Sequence, residues 1–377
     1  MDKKTILVSG ATGMDGSIMI DYLLQNTDCE VVGLTRRLSN RNWKNIEHNL
    51  SNPRFKTDDC DITDSISVDG VIQKYKPHYF FHFGANSFVG NSWSQPYNHL
   101  STNTLGVLFI LEAIRKYSPN TRLYQAGSSE MFGDVKYSPQ DEECPFNPSS
   151  VYGVSKAASH YLTNVYRNSY NLYCLSGILF NHESASGRRG EEFVTKKITL
   201  NIARIKKAID NKQDFKKLRI GNLYSRRDWS SAEDFCDGIW RILNQESYRE
   251  DLKQEYVPQN LFGAIFTETQ CREWLSKKIK TYVLASGETY TVKDFINKTL
   301  EFAGINGSWV GEGMNEKFIS VYNQEIVAVD PEFFRPNEVN LLLGNAELAK
   351  KELNWQPKYS FSQLVKSMFE SDQKIIA

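Results

Sequence analysis

The chain of 377 residues has no Cys-x-x-Cys pair, and its six cysteines, at 29, 60, 144, 174, 236 and 271, show no metal-ligand spacing. Reduced thiols and no structural metal are therefore expected. Of six histidines only His78 and His82 stand four apart, and they bracket a predicted strand, so they would not share a helical face as ligands. No apolar run approaches the length of a membrane span. The basic start at Lys3-Lys4 leads into a short strand and a Gly-rich turn, too short for a secretory signal, so a cytoplasmic protein is expected. Net charge is also absent: 45 Lys and Arg balance 45 Asp and Glu. That balance excludes a nucleic-acid track or an attraction to anionic membrane, and confines any anion-binding basic groups to local clusters. There is no internal repeat, low-complexity tract or long linker.

What the first half does contain is a regular alternation. Predicted strands cover Thr5–Ser9, Glu30–Thr35, Arg54–Thr57, Tyr79–Phe83, Arg122–Ala126 and Leu172–Phe180. Between them lie helical patterns at Met14–Gln25, Ile66–Tyr75, Thr104–Tyr117 and Val151–Tyr170. Strands and helices in this order predict an α/β fold with a Rossmann-type, doubly wound parallel sheet. Beyond residue 181 the rhythm loosens into a long amphipathic helix, Val194–Ile209, strands near Leu218–Ile220 and Tyr282–Ala285, a helix at Val292–Ala303, a strand at Ile326–Val329 and two terminal helices. We expect residues 1–180 to form the dinucleotide domain and 181–377 a smaller α+β substrate domain. An insertion at about 247–280, with a helix over Arg272–Lys280, is expected to be surface elaboration.

Three short strings carry the chemistry. The first, Gly10-Ala11-Thr12-Gly13-Met14-Asp15-Gly16, follows the first strand and opens the first helix, where glycines admit a pyrophosphate to the helix N-terminus. After the second strand stand Arg36 and Arg37 in place of the carboxylate that would bind the ribose hydroxyls of NAD. Paired guanidiniums suit a 2′-phosphate, so NADP is the expected cofactor. Asp61 and Ile62, after the third strand, are placed to touch the adenine. The second string, Ser128-Ser129-Glu130, ends the strand Arg122–Ala126 on its ligand-binding side. The third is Tyr152-Gly153-Val154-Ser155-Lys156, whose phenol and ammonium lie one helical turn apart. A phenol with an ordinary pKa near ~10 is no base at neutral pH. Lys156 and a positive nicotinamide are expected to lower it, so that Tyr152 could take a proton from a sugar hydroxyl. Ser128 can bond the same oxygen, and Glu130 offers the second base needed to abstract a C–H made acidic by oxidation of its neighbour.

These strings, with others along the chain, resemble the extended short-chain dehydrogenase/reductases and, among them, the GDP-mannose 4,6-dehydratase family. The similar segments include Asn45-Ile46-Glu47-His48, Gly84 to Val89, Leu179 to Ser184, Glu192 to Thr195, Gly221-Asn222-Leu223, Arg227-Asp228-Trp229, Phe334 to Val339 and Leu353-Asn354-Trp355. The resemblance covers most of the chain outside the insertion. It implies NADP contacts at Phe83, Gly84, Ala85, Asn86, Ser87, Lys156, His182 and Arg189, besides the Gly10–Gly16 turn, Arg36, Arg37, Asp61 and Ile62. It also implies GDP-sugar contacts at Ser87, Asn181, Val194, Lys197, Arg227, Arg335 and Glu338. Cationic groups among these suit a diphosphate, and a carboxylate suits the guanine N–H edge. The segment Arg36 to His48 resembles a subunit-contact loop, implying a homotetramer.

Two departures stand out. Ser128 replaces the family's usual threonine, and the loop Glu183–Gly190 carries extra residues beside the expected sugar pocket. The expected activity is 4,6-dehydration of GDP-mannose. A related GDP-sugar such as GDP-manno-heptose, a nucleotide-sugar decarboxylation, and a catalytically silent NADP-binding scaffold are the alternatives.

Overall fold

In strand β1 (Thr5–Ser9) Ile6 and Val8 enter one apolar cluster and Leu7 another, because successive side chains face opposite sides of a sheet. Both faces of the strand are thus buried, and helices must cover each. The computed structural model describes residues 4–255, 268–334, 337, 339 and 341–376. In chain order α1 (Met14–Asn26), β2 (Glu30–Thr35), β3 (Phe55–Asp59), α2 (Ser65–Tyr75) and β4 (Tyr79–His82) follow β1. Next come α3 (Pro96–Leu100), α4 (Gly106–Tyr117), β5 (Arg122–Ala126), α5 (Val151–Tyr170) and β6 (Cys174–Leu179). The second half opens with β7 (Asn181–Glu183), α6 (Val194–Asp210), β8 (Leu218–Ile220), β9 (Arg226–Arg227), β10 (Trp229–Ser231), α7 (Ala232–Leu243) and, later, β11 (Val283–Leu284).

The main sheet runs β3-β2-β1-β4-β5-β6-β11, with every pair parallel. Helices α1 and α7 cover the Ile6 face, while α2 and α4 cover the Leu7 face. The expected doubly wound sheet is present, and it gains a seventh strand. From β1 the chain first winds outward through β2 and β3, then returns to β4 on the other side. The loops at the carboxyl ends of β1 and β4 therefore diverge and leave a crevice between them.

A second apolar cluster joins α6, the helices Val292–Ala303 and Phe361–Ile376, and a four-stranded sheet of Gly307–Val310, Lys317–Ser320, Glu325–Val329 and β8. The chain does not simply leave the first unit at residue 180. Helix α7 packs against α1, β11 extends the sheet beyond β6, and Leu353 and Trp355 enter the same core. Residues 1–180 thus supply six of seven strands, and later residues complete the sheet.

Several expected boundaries shift for local reasons. Helix α4 starts at Gly106 because Ser101–Leu105 form a π-turn. In the insertion the helix spans Glu268–Ser276. Past it the chain bends to bury Ile279 and to donate Lys280 N–H to Gln245 Oε1 at 2.8 Å. Leu275 joins the main core, and Arg249 donates to the Lys278 carbonyl at 2.7 Å, so the described flanks of the insertion are packed elements. Its central residues, 256–267, lie outside the described residues. Among the described residues, no helix is long and apolar enough to cross a membrane, and no cluster of His, Cys, Asp and Glu could hold a metal ion.

Candidate active site

The Gly-rich turn is built where two backbones nearly touch. Gly10 has φ of +68°, and a Cβ there would stand 2.9 Å from Gly84 N, at the end of β4. A Cβ on Gly16 would stand 2.2 Å from the Gly10 carbonyl. Only glycine fits either place. Gly13 caps α1 without a side-chain hydrogen bond, so the amides of the first turn face the crevice.

Four residues converge nearby. After β5, Ser128 Oγ accepts the Glu130 N–H at 3.2 Å and turns the Glu130 carboxyl into the cleft. Helix α5 starts beside it, with Ser150 Oγ accepting the Gly153 N–H at 3.0 Å. The approach is so close that a Cβ on Gly153 would lie 2.5 Å from the Glu130 carbonyl, which accounts for glycine after Tyr152. The Tyr152 hydroxyl hydrogen-bonds Ser128. Lys156 Nζ lies 5.9 Å from the Tyr152 ring centroid and donates to the Ala126 carbonyl at 2.8 Å. All four residues are buried and line one cavity of ≈ 1000 Å³.

The electrostatics depart from expectation at Tyr152. Burial pushes its phenol up to about 12, the nearby Glu130 and Asp15 charges add to the rise, and the Ser128 hydrogen bond and Arg189 oppose it. Burial also takes the Lys156 ammonium down to about 8, against the pull of Asp15. Burial alone would lower His182, but Asp15 raises it overall, and its Nε2 lies 3.0 Å from Asp15 Oδ1. Burial would raise Asp15, but His182 holds it below the ordinary carboxylate range. Arg189 Nε donates to Glu183 Oε2 at 2.6 Å.

Of the expected dinucleotide contacts, the Gly10, Thr12–Gly16 turn, Arg36, Asp61–Ile62, Phe83–Ser87, His182 and Arg189 all line this cavity. Ala11 is buried behind the turn, and Arg37 is exposed and outside the lining. Of the expected sugar-nucleotide contacts, Asn181, Val194, Lys197 and Arg227 line its other end. Arg335 and Glu338 lie outside the described residues. Asn181 Oδ1 is buried with no partner from the protein. Lys197 Nζ sits 3.1 Å from the Phe333 ring centroid, and burial, with Arg219 nearby, lowers it to about 8. Arg227 donates to the Val339 carbonyl at 2.7 Å. Its neighbour Asp228 is buried and accepts from Ser286 N, Ser286 Oγ and Gly287 N at 2.8, 2.6 and 2.9 Å. The Arg227-Asp228-Trp229 string is thus part contact and part anchor.

Sequence reasoning passed over Asn103. Its amide donates to Ser155 Oγ at 3.0 Å and to the Asn86 carbonyl at 3.1 Å, and accepts Asn86 N–H at 2.8 Å. It joins the loop after β4 to the first turn of α5, and the signal for it, a polar residue in an otherwise helical run, was faint.

A Gly-lined crevice at the sheet's switch point, with Tyr152 and Lys156 at its wall, defines an extended short-chain dehydrogenase/reductase. The model of the family described as GDP-mannose 4,6 dehydratase matches residues 7–261 and 266–368, and the chain belongs to that family. A GDP-mannose 4,6-dehydratase of Vibrio cholerae serotype O1 is 36% identical over 390 residues, covering 99% of this chain and 94% of that protein. One from Drosophila melanogaster is 36% identical over 382 residues, covering 99% and 87%. Among solved structures, the dTDP-glucose 4,6-dehydratase of Bacillus anthracis in complex with NAD superposes with a TM-score of 0.72 at 20% identity, covering 98% of this chain and 97% of that one.

The position of Tyr152 yields a prediction. Without an added cation beside it, this phenol stays protonated throughout the neutral range. An ultraviolet titration of the ligand-free protein minus that of Tyr152→Phe should show no phenolate signal below about pH 10. A signal near pH 7 would mean that the protein's own groups suffice.

Proposed function

We propose that this protein removes water from GDP-mannose to give GDP-4-keto-6-deoxymannose, using NADP. The observation that carries the proposal is Glu130, a second base held in the same cleft as Ser128, Tyr152 and Lys156. A simple alcohol dehydrogenation needs the tyrosine and lysine alone.

The residues fit a dinucleotide. The Gly10–Gly16 turn leaves room that any Cβ would fill, and its amides suit a pyrophosphate. We assign Arg36 to a 2′-phosphate, Asp61 and Ile62 to the adenine, and Phe83 to Ser87, Lys156, His182 and Arg189 to the remainder; all of them line the cavity. A bound nicotinamide would supply hydride chemistry, accepting the C4 hydrogen with its electron pair and giving it back at C6, so that none would be consumed. Tyr152 removes the C4 hydroxyl proton, with Ser128 bonded to the same phenol. The resulting C4 ketone acidifies the C5 proton, which Glu130 accepts and passes to the departing C6 oxygen so that water leaves, while solvent reprotonates Glu130 and takes up the proton left on Tyr152. Glu130 then returns a proton to C5. Asn181, Val194, Lys197 and Arg227 hold the sugar nucleotide, and we assign Arg335 to the same molecule and the Glu338 carboxylate to its guanine N–H edge. GDP-manno-heptose is the second substrate to assay, because part of the Glu183–Gly190 loop lines the cavity.

Glu130→Gln keeps the shape and removes the base. Its turnover of GDP-mannose should fall by roughly 10²- to 10⁴-fold with KM little changed. In D₂O the wild type should place deuterium at C5 of the product. Wild-type turnover by Glu130→Gln, or a product without C5 deuterium, would show that Glu130 is not that base.

Arg36→Ala should weaken NADP binding about ten- to hundredfold by calorimetry and leave NAD binding unchanged, since a charge-assisted phosphate bond is lost. Arg37→Ala should do less, because Arg37 lies outside the cavity.

We infer a homotetramer. The exposed stripe Val154, Tyr161 and Val165 on α5 offers an apolar face for a self-complementary contact, and the Arg36–His48 segment a second surface. Light scattering should give a four-chain mass, reduced by Tyr161→Asp. A monomer of full activity would contradict this assembly.

A further inference from the structure

Two stretches without strand or long helix cover the dinucleotide end of the cavity from different parts of the chain. One, Asn42 to Asn49, follows Arg36 and contributes Asn42, Lys44 and Asn45 to the lining. The other, Ser184 to Phe193, contributes Arg188 and Arg189. They are more than a hundred residues apart, yet both end on one carboxylate. Asp21, on the outer side of α1, accepts from His48 Nε2 at 2.8 Å and Asn49 Nδ2 at 2.5 Å through Oδ1. Its Oδ2 accepts from Arg188 at 2.6 Å. The second Arg188 nitrogen donates to Ser17 Oγ of the same helix at 3.2 Å. Asn45 is fixed in turn to the Gly-rich turn, donating to the Thr12 carbonyl at 2.9 Å.

We propose that Asp21 is a positioning residue that couples the two cofactor-covering segments, so that ordering either one by ligand favours the other. Irregular segments lose conformational freedom when they close over a ligand. A shared anchor spreads that cost, because the carboxylate is held in place by either partner before the second docks. Asp21 lines no part of the cavity and touches no reacting atom. Its effect therefore falls on cofactor retention and not on the chemical step. The neighbouring anchors of the second segment, Lys196 Nζ on the Gly187 carbonyl at 3.0 Å and Ser371 Oγ on the Ser186 carbonyl at 3.2 Å, reach that segment alone. Asp21 differs in touching both.

The inference rests on the dinucleotide reading above, and the test separates the two. NADP affinity is measured by calorimetry for the wild type, His48→Gln, Arg188→Gln and the double variant, each also with Asp21→Asn. Hydrogen exchange is followed in all of them without cofactor. Failure of the wild type to bind NADP would overturn the dinucleotide reading itself. With binding intact, each single variant should weaken NADP severalfold, and the double variant should lose at least threefold less than the product of the two. Against Asp21→Asn that departure should vanish. Without cofactor, Arg188→Gln should speed exchange in Asn42–Asn49 as well as in its own loop. His48→Gln should do the same in reverse, with β1 unchanged. Multiplicative losses, or faster exchange confined to the mutated side, would overturn the coupling. Should Asp21→Asn fold poorly, the cycle between His48 and Arg188 decides alone.

Discussion

The bond from Lys156 Nζ to the Ala126 carbonyl sets the geometry on which the rest of the site depends. It joins α5 to the last residue of β5, so Tyr152, one turn earlier, is carried over Ser128 and Glu130, which follow the same strand. A buried ammonium is costly, and the fall of Lys156 to about 8 expresses that cost. Asp15 offsets part of it from the first turn of α1. The base and the dinucleotide turn are thus linked electrically as well as through the sheet.

The cations of the cleft are largely matched before any ligand arrives. His182 faces Asp15, Arg189 faces Glu183, and Arg188 faces Asp21. A chain of zero net charge can therefore receive two diphosphate-bearing molecules without a strongly positive surface. The main anion donors at the turn are backbone amides, whose strength needs no counter-charge. The charges that raise the Tyr152 phenol are those of Glu130 and Asp15, and Arg189 opposes them. Glu130, the base we propose for the elimination, is thus among the groups that hold the Tyr152 proton in place.

The sheet and its Gly-rich turn were legible because they are local. Glu30–Thr35 and Arg122–Ala126 read true to the residue, since each is an apolar run bounded by turn-forming residues. Gly10, Gly13 and Gly16 could be placed because steric need is written into the residue type. By contrast, β11 is two residues long and pairs with a strand a hundred positions earlier, which no periodicity records. The role of Asp228 was hidden in the same way: its partners Ser286 and Gly287 are remote in sequence. Arg36 and Arg37 look equivalent in the sequence, and only the exit direction of the chain after β2 turns one toward the cavity. The ionisation of Tyr152 in the protein alone could not be read from spacing, which gives the distance to Lys156 but neither the burial of the phenol nor the bond from the ammonium to the Ala126 carbonyl.

The two halves of the cleft are held together by different means. On the floor, β7 continues from β6 and pairs in parallel with β10, Asn181 against Trp229 and Glu183 against Ser231. Asn181 to Glu183 and Trp229 to Ser231 are thereby suspended from the main sheet by backbone ladders. Asp228 locks the adjoining turn to the chain following β11. The segment from Ser184 to Phe193 has no ladder. Glu233, Asp21, Lys196 and Ser371 hold it through side chains drawn from α7, α1, α6 and the terminal helix. Gly187, with φ of +75°, supplies the turn that lets it lie between them. Backbone ladders fix position regardless of side-chain identity, whereas side-chain ties can be exchanged by single substitutions. Adaptation to a different sugar in this fold is accordingly easiest in that segment.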